Sequence, residues 1–161
     1  MTRLVAALAV ASATLVIASP AGAVAAAPGS FGPYGYGGIK LGMTAKQAKA
    51  TGKIVLKWRD YCSGWDYKAH RNARNEVGLY ISKKRGVAVI FAPAGVRTPK
   101  GIGAGSTLRQ VKKAYPGVKE EPSGYYVTVP GNHKAYYYFG VNRRDRVEQL
   151  GLALKNQDCV N

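Results

Sequence analysis

The sequence predicts an α+β fold of two tandem repeats, each a short capped helix followed by an antiparallel β-meander, packed as one compact unit. Three observations predict it. The first is an internal repeat. Residues 38–49 match residues 101–112 without a gap at an offset of 63, with six of twelve positions identical. The second is shared helix-start chemistry. Thr44-x-x-Gln47 and Thr107-x-x-Gln110 are capping boxes, in which Thr accepts from the third helical amide and Gln reaches back to the cap. The third is a set of apolar, β-branched and aromatic runs separated by Gly, Pro and Asn turns.

The elements follow in order. Residues 1–23 read as a secretory signal peptide: Arg3, a 15-residue apolar run from Leu4 to Ala18, then small residues to Ala23. That run is shorter than the ~20 residues of a membrane span. No cysteine follows it before Cys62, so a lipid anchor is not expected. Residues 24–37 are rich in Gly, Pro and Tyr and read as a disordered leader. Repeat 1 spans 38–92, a linker 93–100 and repeat 2 101–161.

In repeat 1 a glycine two residues before Thr44 lets the chain turn sharply into the helix, and Gly52 ends it. Strands are expected at 54–58, 77–82 and 87–92, the last two flanking the tip Lys83-Lys84-Arg85-Gly86. The 87–92 run is apolar on both faces and reads as a central strand covered twice. Repeat 2 has the same plan. Leu108, Val111 and Tyr115 mark the helical face, and Pro116-Gly117 stops the helix. Strands are expected at 125–129, 135–141 and 147–154, with basic residues Arg143, Arg144 and Arg146 at the last tip.

Cys62 and Cys159 are the only cysteines, one in each repeat. In an exported chain they make one obvious disulfide. The absence of Cys-x-x-Cys speaks against a redox-active pair.

The Gly-Met-Thr-x-x-Gln-Ala motif at 42–48, the early helix, the meander and the second copy resemble the β-lactamase-inhibitory-protein-like and BamE-like α+β repeat families. The layout is also similar to that of small secreted proteins of Gram-positive bacteria. The resemblance implies helices on a curved sheet and protein recognition through the exposed sheet face and loops. This chain departs from it in its short repeat, its single inter-repeat bridge and its strong positive charge. No contact residue carries over from those families.

Length and composition exclude several classes. The 161 residues are too few for most cofactor enzymes with a separate substrate domain, and an apolar share of 47% argues against disorder throughout. Neither His70 nor His133 has an acid at metal-ligand spacing. No Gly-x-Ser-x-Gly elbow occurs, and Gly101-x-Gly103-x-Gly105 lacks the Gly-Lys-Ser/Thr ending of a phosphate loop. The adjacent Glu120 and Glu121 point apart on an extended chain. No catalytic residue, metal or cofactor is expected. A dispersed hydrolase site around Asp66 and His70 is the remaining enzymatic reading.

Charge and tyrosine are what the composition offers instead. The chain carries +16. Residues 24–99 hold 13 basic against 3 acidic residues, and residues 100–161 hold 10 against 5. Candidate binding residues are the basic tips Lys83, Lys84, Arg85, Arg143, Arg144 and Arg146. With them stand the tyrosines Tyr125, Tyr126, Tyr136, Tyr137 and Tyr138. On a strand, Tyr136 and Tyr138 share a face and Tyr137 takes the other. The favoured expectation is a secreted, monomeric, non-enzymatic binding protein whose partner is an extracellular protein, with enzyme inhibition as one form of that role. The alternative is binding to an anionic cell-wall polymer or other extracellular polyanion. No specific nucleic acid and no transmembrane segment after signal cleavage are expected.

Overall fold

The computed structural model describes residues 29–160. The signal peptide expected over 1–23 and the first part of the leader, 24–28, lie outside the described residues. The elements run β1 (Gly35–Tyr36), β2 (Ile39–Lys40), α1 (Ala45–Ala50), β3 (Ile54–Trp58), β4 (Cys62–Tyr67), β5 (Leu79–Ser82) and β6 (Gly86–Phe91). They continue with α2 (Leu108–Ala114), β7 (Lys119–Glu121), β8 (Gly124–Val129), β9 (Asn132–Val141) and β10 (Val147–Leu154).

The last eight strands form one antiparallel sheet in the order β3-β4-β5-β6-β10-β9-β8-β7. Chain order is kept in the first four strands and reversed in the last four. Two meanders therefore meet at their final strands, where Phe91, Ile90 and Val89 of β6 face Gly151, Leu152 and Ala153 of β10. Over the described residues the chain is α+β, with a large antiparallel sheet and two short helices.

Both capping boxes form. Thr44 Oγ1 accepts from the Gln47 amide at 3.2 Å, and Gln47 Oε1 accepts from the Thr44 amide at 2.8 Å. Thr107 and Gln110 repeat this at 3.2 and 2.7 Å. The preceding Gly42 and Gly105 have φ of +79° and +84°, backbone that a side chain would strain. Helices of six and seven residues are unstable alone, so each rests its buried residue, Ala48 or Val111, on the sheet.

Both helices lie on the same face. Alternation sends Ile54, Trp65, Leu79, Ile90, Leu152, Tyr137 and Phe139 toward them, and all are at least nine-tenths buried. Tyr115 at the end of α2 packs on Tyr137 and Phe139, with ring centroids 5.9 and 5.6 Å away.

The expected leader is corrected over residues 29–37. This stretch is a strap across the helix side. Phe31 is fully buried, its ring 6.2 Å from those of Tyr36 and Tyr137, and its carbonyl accepts from Tyr137 Oη at 2.8 Å. Tyr34 Oη donates to the Gly131 carbonyl, Asn132 Nδ2 to that of Pro33, and Tyr67 Oη to that of Tyr36. The strap thus touches both meanders. Its glycines and prolines mark tight turns, and its aromatics supply the packing that outweighs chain entropy. Strands β4 and β7 were also not among the expected elements.

The strap generates a prediction. Phe31→Ala should lower stability by about 3–5 kcal/mol, the usual cost of emptying a buried aromatic site, measured by urea unfolding. A change under about 1 kcal/mol would mean that the strap is not part of the core.

Candidate functional site: the open sheet face

Among the described residues, the sheet face away from the helices has no second layer of helices. Its side chains come from the alternate residues of each strand. Trp58, Tyr80, Phe91, Tyr138, Tyr126 and Tyr136 form an aromatic stripe across it, all half-buried. The Trp58 and Tyr80 rings are 6.4 Å apart, Tyr80 and Phe91 6.2 Å, and Tyr126 lies 5.4 Å from Tyr136 and 5.2 Å from Tyr138.

Trp58, Phe91 and Tyr138 lie against the sheet because glycines leave room beneath them. A Cβ at Gly64 would meet Trp58 Cε2 at 2.5 Å. Cβ atoms at Gly124 and Gly140 would meet Tyr138 at 2.7 and 2.8 Å, and one at Gly151 would touch it at 3.4 Å. Hydrogen bonds then hold the phenols. Tyr138 Oη donates to the Ser123 carbonyl at 3.0 Å, and the hydroxyls of Tyr126 and Ser123 are 2.6 Å apart. Burial pushes the phenols of Tyr136 and Tyr138 up, so both stay neutral at ordinary pH.

Two adjoining clefts open on this face. The first, about 200 Å³, lies over Val89, Gly151 and Ala153 between Phe91 and the tyrosines. The second, about 660 Å³, carries polar residues Asn72, Asn75 and Gln149 and the carboxylates of Glu76 and Glu148.

The C-terminal tail crosses this face. Cys62 on β4 is bonded to Cys159, as the sequence predicted, with Cα atoms 5.5 Å apart. The bond brings Cys159 and Val160 onto Ala88, Val89 and Ala153, so β6 is covered on both sides. Gln157 Oε1 accepts from the amides of Cys159 and Val160 at 2.8 and 2.9 Å, and Tyr61 Oη donates to Asp158 Oδ2 at 2.8 Å. Val160 and Gln157 line the first cleft.

A buried ion pair holds the loop beside the second cleft. Lys57 Nζ lies 3.3 Å from Asp66 Oδ2 and also donates to the carbonyls of Asn72, Ala73 and Glu76. Asp66, 1% exposed, accepts from the amides of Asn72 and Gly78 and from Asn72 Nδ2. Desolvation pushes its carboxyl up, but the bonds from Asn72, Lys57 and Gly78 outweigh that and hold it below the ordinary range.

The other expected residues fall as follows. Tyr126, Tyr136 and Tyr138 share the open face. Tyr137 is corrected as a binding residue, and Tyr125 does not join the others on the open face. Tyr137 is 1% exposed in the core, and Tyr125 packs on the helix side under Lys112 Nζ, 5.6 Å from its ring. The six basic tip residues are all exposed. Because β6 and β10 run antiparallel, the two tips sit at opposite ends of the sheet and form no single patch. Trp58, Tyr80 and Phe91 were not among the expected site residues.

Around the proposed hydrolase segment, Cys62 is in the disulfide, the Asp66 oxygens are engaged as above, and His70 is exposed. Among the described residues, one cluster of metal-ligand type occurs, Cys62, Asp158 and Cys159, and its sulfurs are already joined to each other. No described helix is long and apolar enough to cross a membrane. Comparison with protein-family models, curated proteins and solved structures finds no match.

Two expectations follow. Reducing the disulfide, or making Cys62→Ser with Cys159→Ser, should release the tail and raise binding of an apolar dye to the open face. It should also cost up to about 4–5 kcal/mol in the chain-entropy picture; unchanged dye binding would show that the tail does not need its tether. The second concerns Asp66. Its stabilisation is fully present above the ordinary value of 3.8 and is lost as pH falls through its depressed folded value. Acid titration of unfolding should therefore show a loss below about pH 4 that Asp66→Asn flattens; identical slopes would contradict the assignment.

Proposed function

We propose that this chain is a secreted, non-enzymatic binding protein that receives a protein partner on the open sheet face. The observation that carries the reading is the stripe of six aromatic rings on one face, three of them seated against glycines. From β3 to β8 it crosses six interstrand spacings, roughly 29 Å. That is the width of a patch of about 800 Å² per partner, typical of a protein interface and larger than a small-molecule site needs. Tyr, Trp and Phe supply contact area at low entropy cost and are the residues enriched at interface centres.

The chemistry of the second cleft narrows the partner. Glu76 and Glu148 line it on a chain that is otherwise strongly basic. A partner loop with an apolar tip beside a Lys or Arg side chain matches the aromatic floor and these carboxylates.

The matched capping boxes and the mirrored strand order support an origin by internal duplication, with the helices on the far side leaving this face free. Export is supported by the signal-like first 23 residues and by the disulfide, a bond that persists in oxidising compartments.

A second reading, an electrostatic binder of extracellular polyanions, is favoured by a separate observation. The layer over the helix side, residues 29–53 and 93–118, contains nine lysines and arginines and no acidic residue.

The test is capture of a stoichiometric protein from culture supernatant by the immobilised chain, repeated with Phe91→Ala and Tyr138→Ala. Each substitution should weaken capture by at least about tenfold, the scale of an interface hot spot. Failure to capture any stoichiometric protein, or capture indifferent to both substitutions, would overturn the reading.

A further inference from the structure

On the helix side, the loop 97–106 and α2 enclose a cleft of about 660 Å³. Arg97, Lys100, Lys113 and Arg146 line it, with Ser106 and Gln110 between them, and no carboxylate does. Asp145 precedes Arg146 in the chain but is not part of the lining. The comparable cleft beside α1, lined by Lys46, Lys49, Arg59 and Lys83, contains Asp60.

Three of the four cations are positioned by neutral partners. Arg97 Nη1 donates to the Gly101 carbonyl at 3.0 Å and to Ser106 Oγ at 3.1 Å. Arg146 Nη1 donates to the Gly105 carbonyl at 2.9 Å, and Lys100 Nζ to that of Ala114 at 2.7 Å. Carbonyl oxygens fix these head groups without cancelling their charge. Each guanidinium uses only Nη1 in these bonds, and a guanidinium has five N–H donors, so donors remain on both. A cleft lined by one sign of charge focuses its field on an incoming counter-ion. Among the described residues the single ion pair is Lys57–Asp66, on the other face of the sheet.

We propose that this cleft binds a linear, base-free phosphate polymer, an inference that rests on the second reading above and gives it a site. Phosphate is favoured because guanidinium forks and ammonium groups together match its tetrahedral oxygens. A polymer is favoured because basic side chains continue along α2 beyond the cleft, through the exposed Arg109 and Lys112. Nucleic acid is disfavoured because no aromatic side chain lines the cleft to stack a base.

The probe is short inorganic polyphosphate, titrated onto the chain over a range of NaCl concentrations. Four phosphate contacts predict a log–log salt slope near −3, at about −0.7 per contact. Lys113→Gln with Arg146→Gln should weaken binding about tenfold and make the slope less negative by about 1.4. Lys113→Glu, at a side chain with no hydrogen bond to the protein, should weaken binding without touching the loop. Lys83→Gln with Lys84→Gln removes the same charge at a distant tip and should change affinity less than about twofold, since salt largely screens exposed charges across such distances.

Equal losses in the two double variants would overturn the site while leaving general polyanion binding standing. No binding by the unaltered chain at low salt would overturn both. Orthophosphate competing as well as polyphosphate at equal phosphate concentration would show a single-phosphate site, and much tighter binding of oligothymidylate would show a nucleic-acid site. Either outcome refutes the proposal.

Discussion

The pairing of β6 with β10 is the constraint on which the rest depends. Its register contains three residue pairs, yet it is the join between two four-stranded meanders. So short a seam persists because both of its faces are buried. Ile90 and Leu152 lie under the helix layer, while Val89 and Ala153 lie under the tail. Neither meander has a helix long enough to be stable alone, so each relies on the continuous core that the seam creates. The disulfide acts across the same join: Cys62 belongs to the first meander and Cys159 follows the last strand of the second. The strap repeats the device on the other face, with Phe31 on Tyr137 and Tyr36 on Tyr67.

Because the seam puts both meanders in one sheet, the chain acquires two unlike surfaces. Large aliphatic and aromatic residues point toward the helices. Opposite them, glycines at 64, 140 and 151 leave shallow ground on which the Trp58, Phe91 and Tyr138 rings rest. Charge is unevenly distributed along the chain as well. The acid-free stretches are the ones that lie over the helix side, and all eight acidic residues lie on strands, their loops or the tail. A mean charge for the whole molecule therefore describes neither surface.

How much of this was legible in the sequence depended on range. Capping boxes are local, so Thr44 and Gln47, or Thr107 and Gln110, could be read from spacing alone. Strand β10 and the alternation of Tyr136, Tyr137 and Tyr138 were legible for the same reason. Strand β4 was not. Its inward residues Ser63, Trp65 and Tyr67 alternate properly, but the outward Cys62, Gly64 and Asp66 hide the pattern. Asp66 in particular looks like a loop residue until Lys57, Asn72 and Gly78 are seen to satisfy it. The strap was misread because turn residues dominate its composition while three aromatics decide its fate. The aromatic site was half legible. The tyrosines of β8 and β9 are close in sequence, whereas Trp58, Tyr80 and Phe91 join them only through the reversed strand order.

The tail links stability to the open face. Val160 occupies apolar ground beside Val89 and Ala153 that a partner would otherwise use, and Gln157 borders the tyrosine cleft. A partner can either dock around the tail or displace it. Displacement would uncover Val89 and Ala153 at the seam itself and would have to occur with Cys159 still bonded to β4. Docking around the tail keeps the seam covered and adds Val160 to the partner's contact area. The second course is energetically cheaper, since it exposes no apolar surface and breaks none of the Gln157 hydrogen bonds. The tail is therefore best regarded as part of the binding surface while the disulfide is intact. The cleft between the 97–106 loop and α2, on the opposite side of the sheet, shares no residue with it, so the two surfaces can be engaged at once.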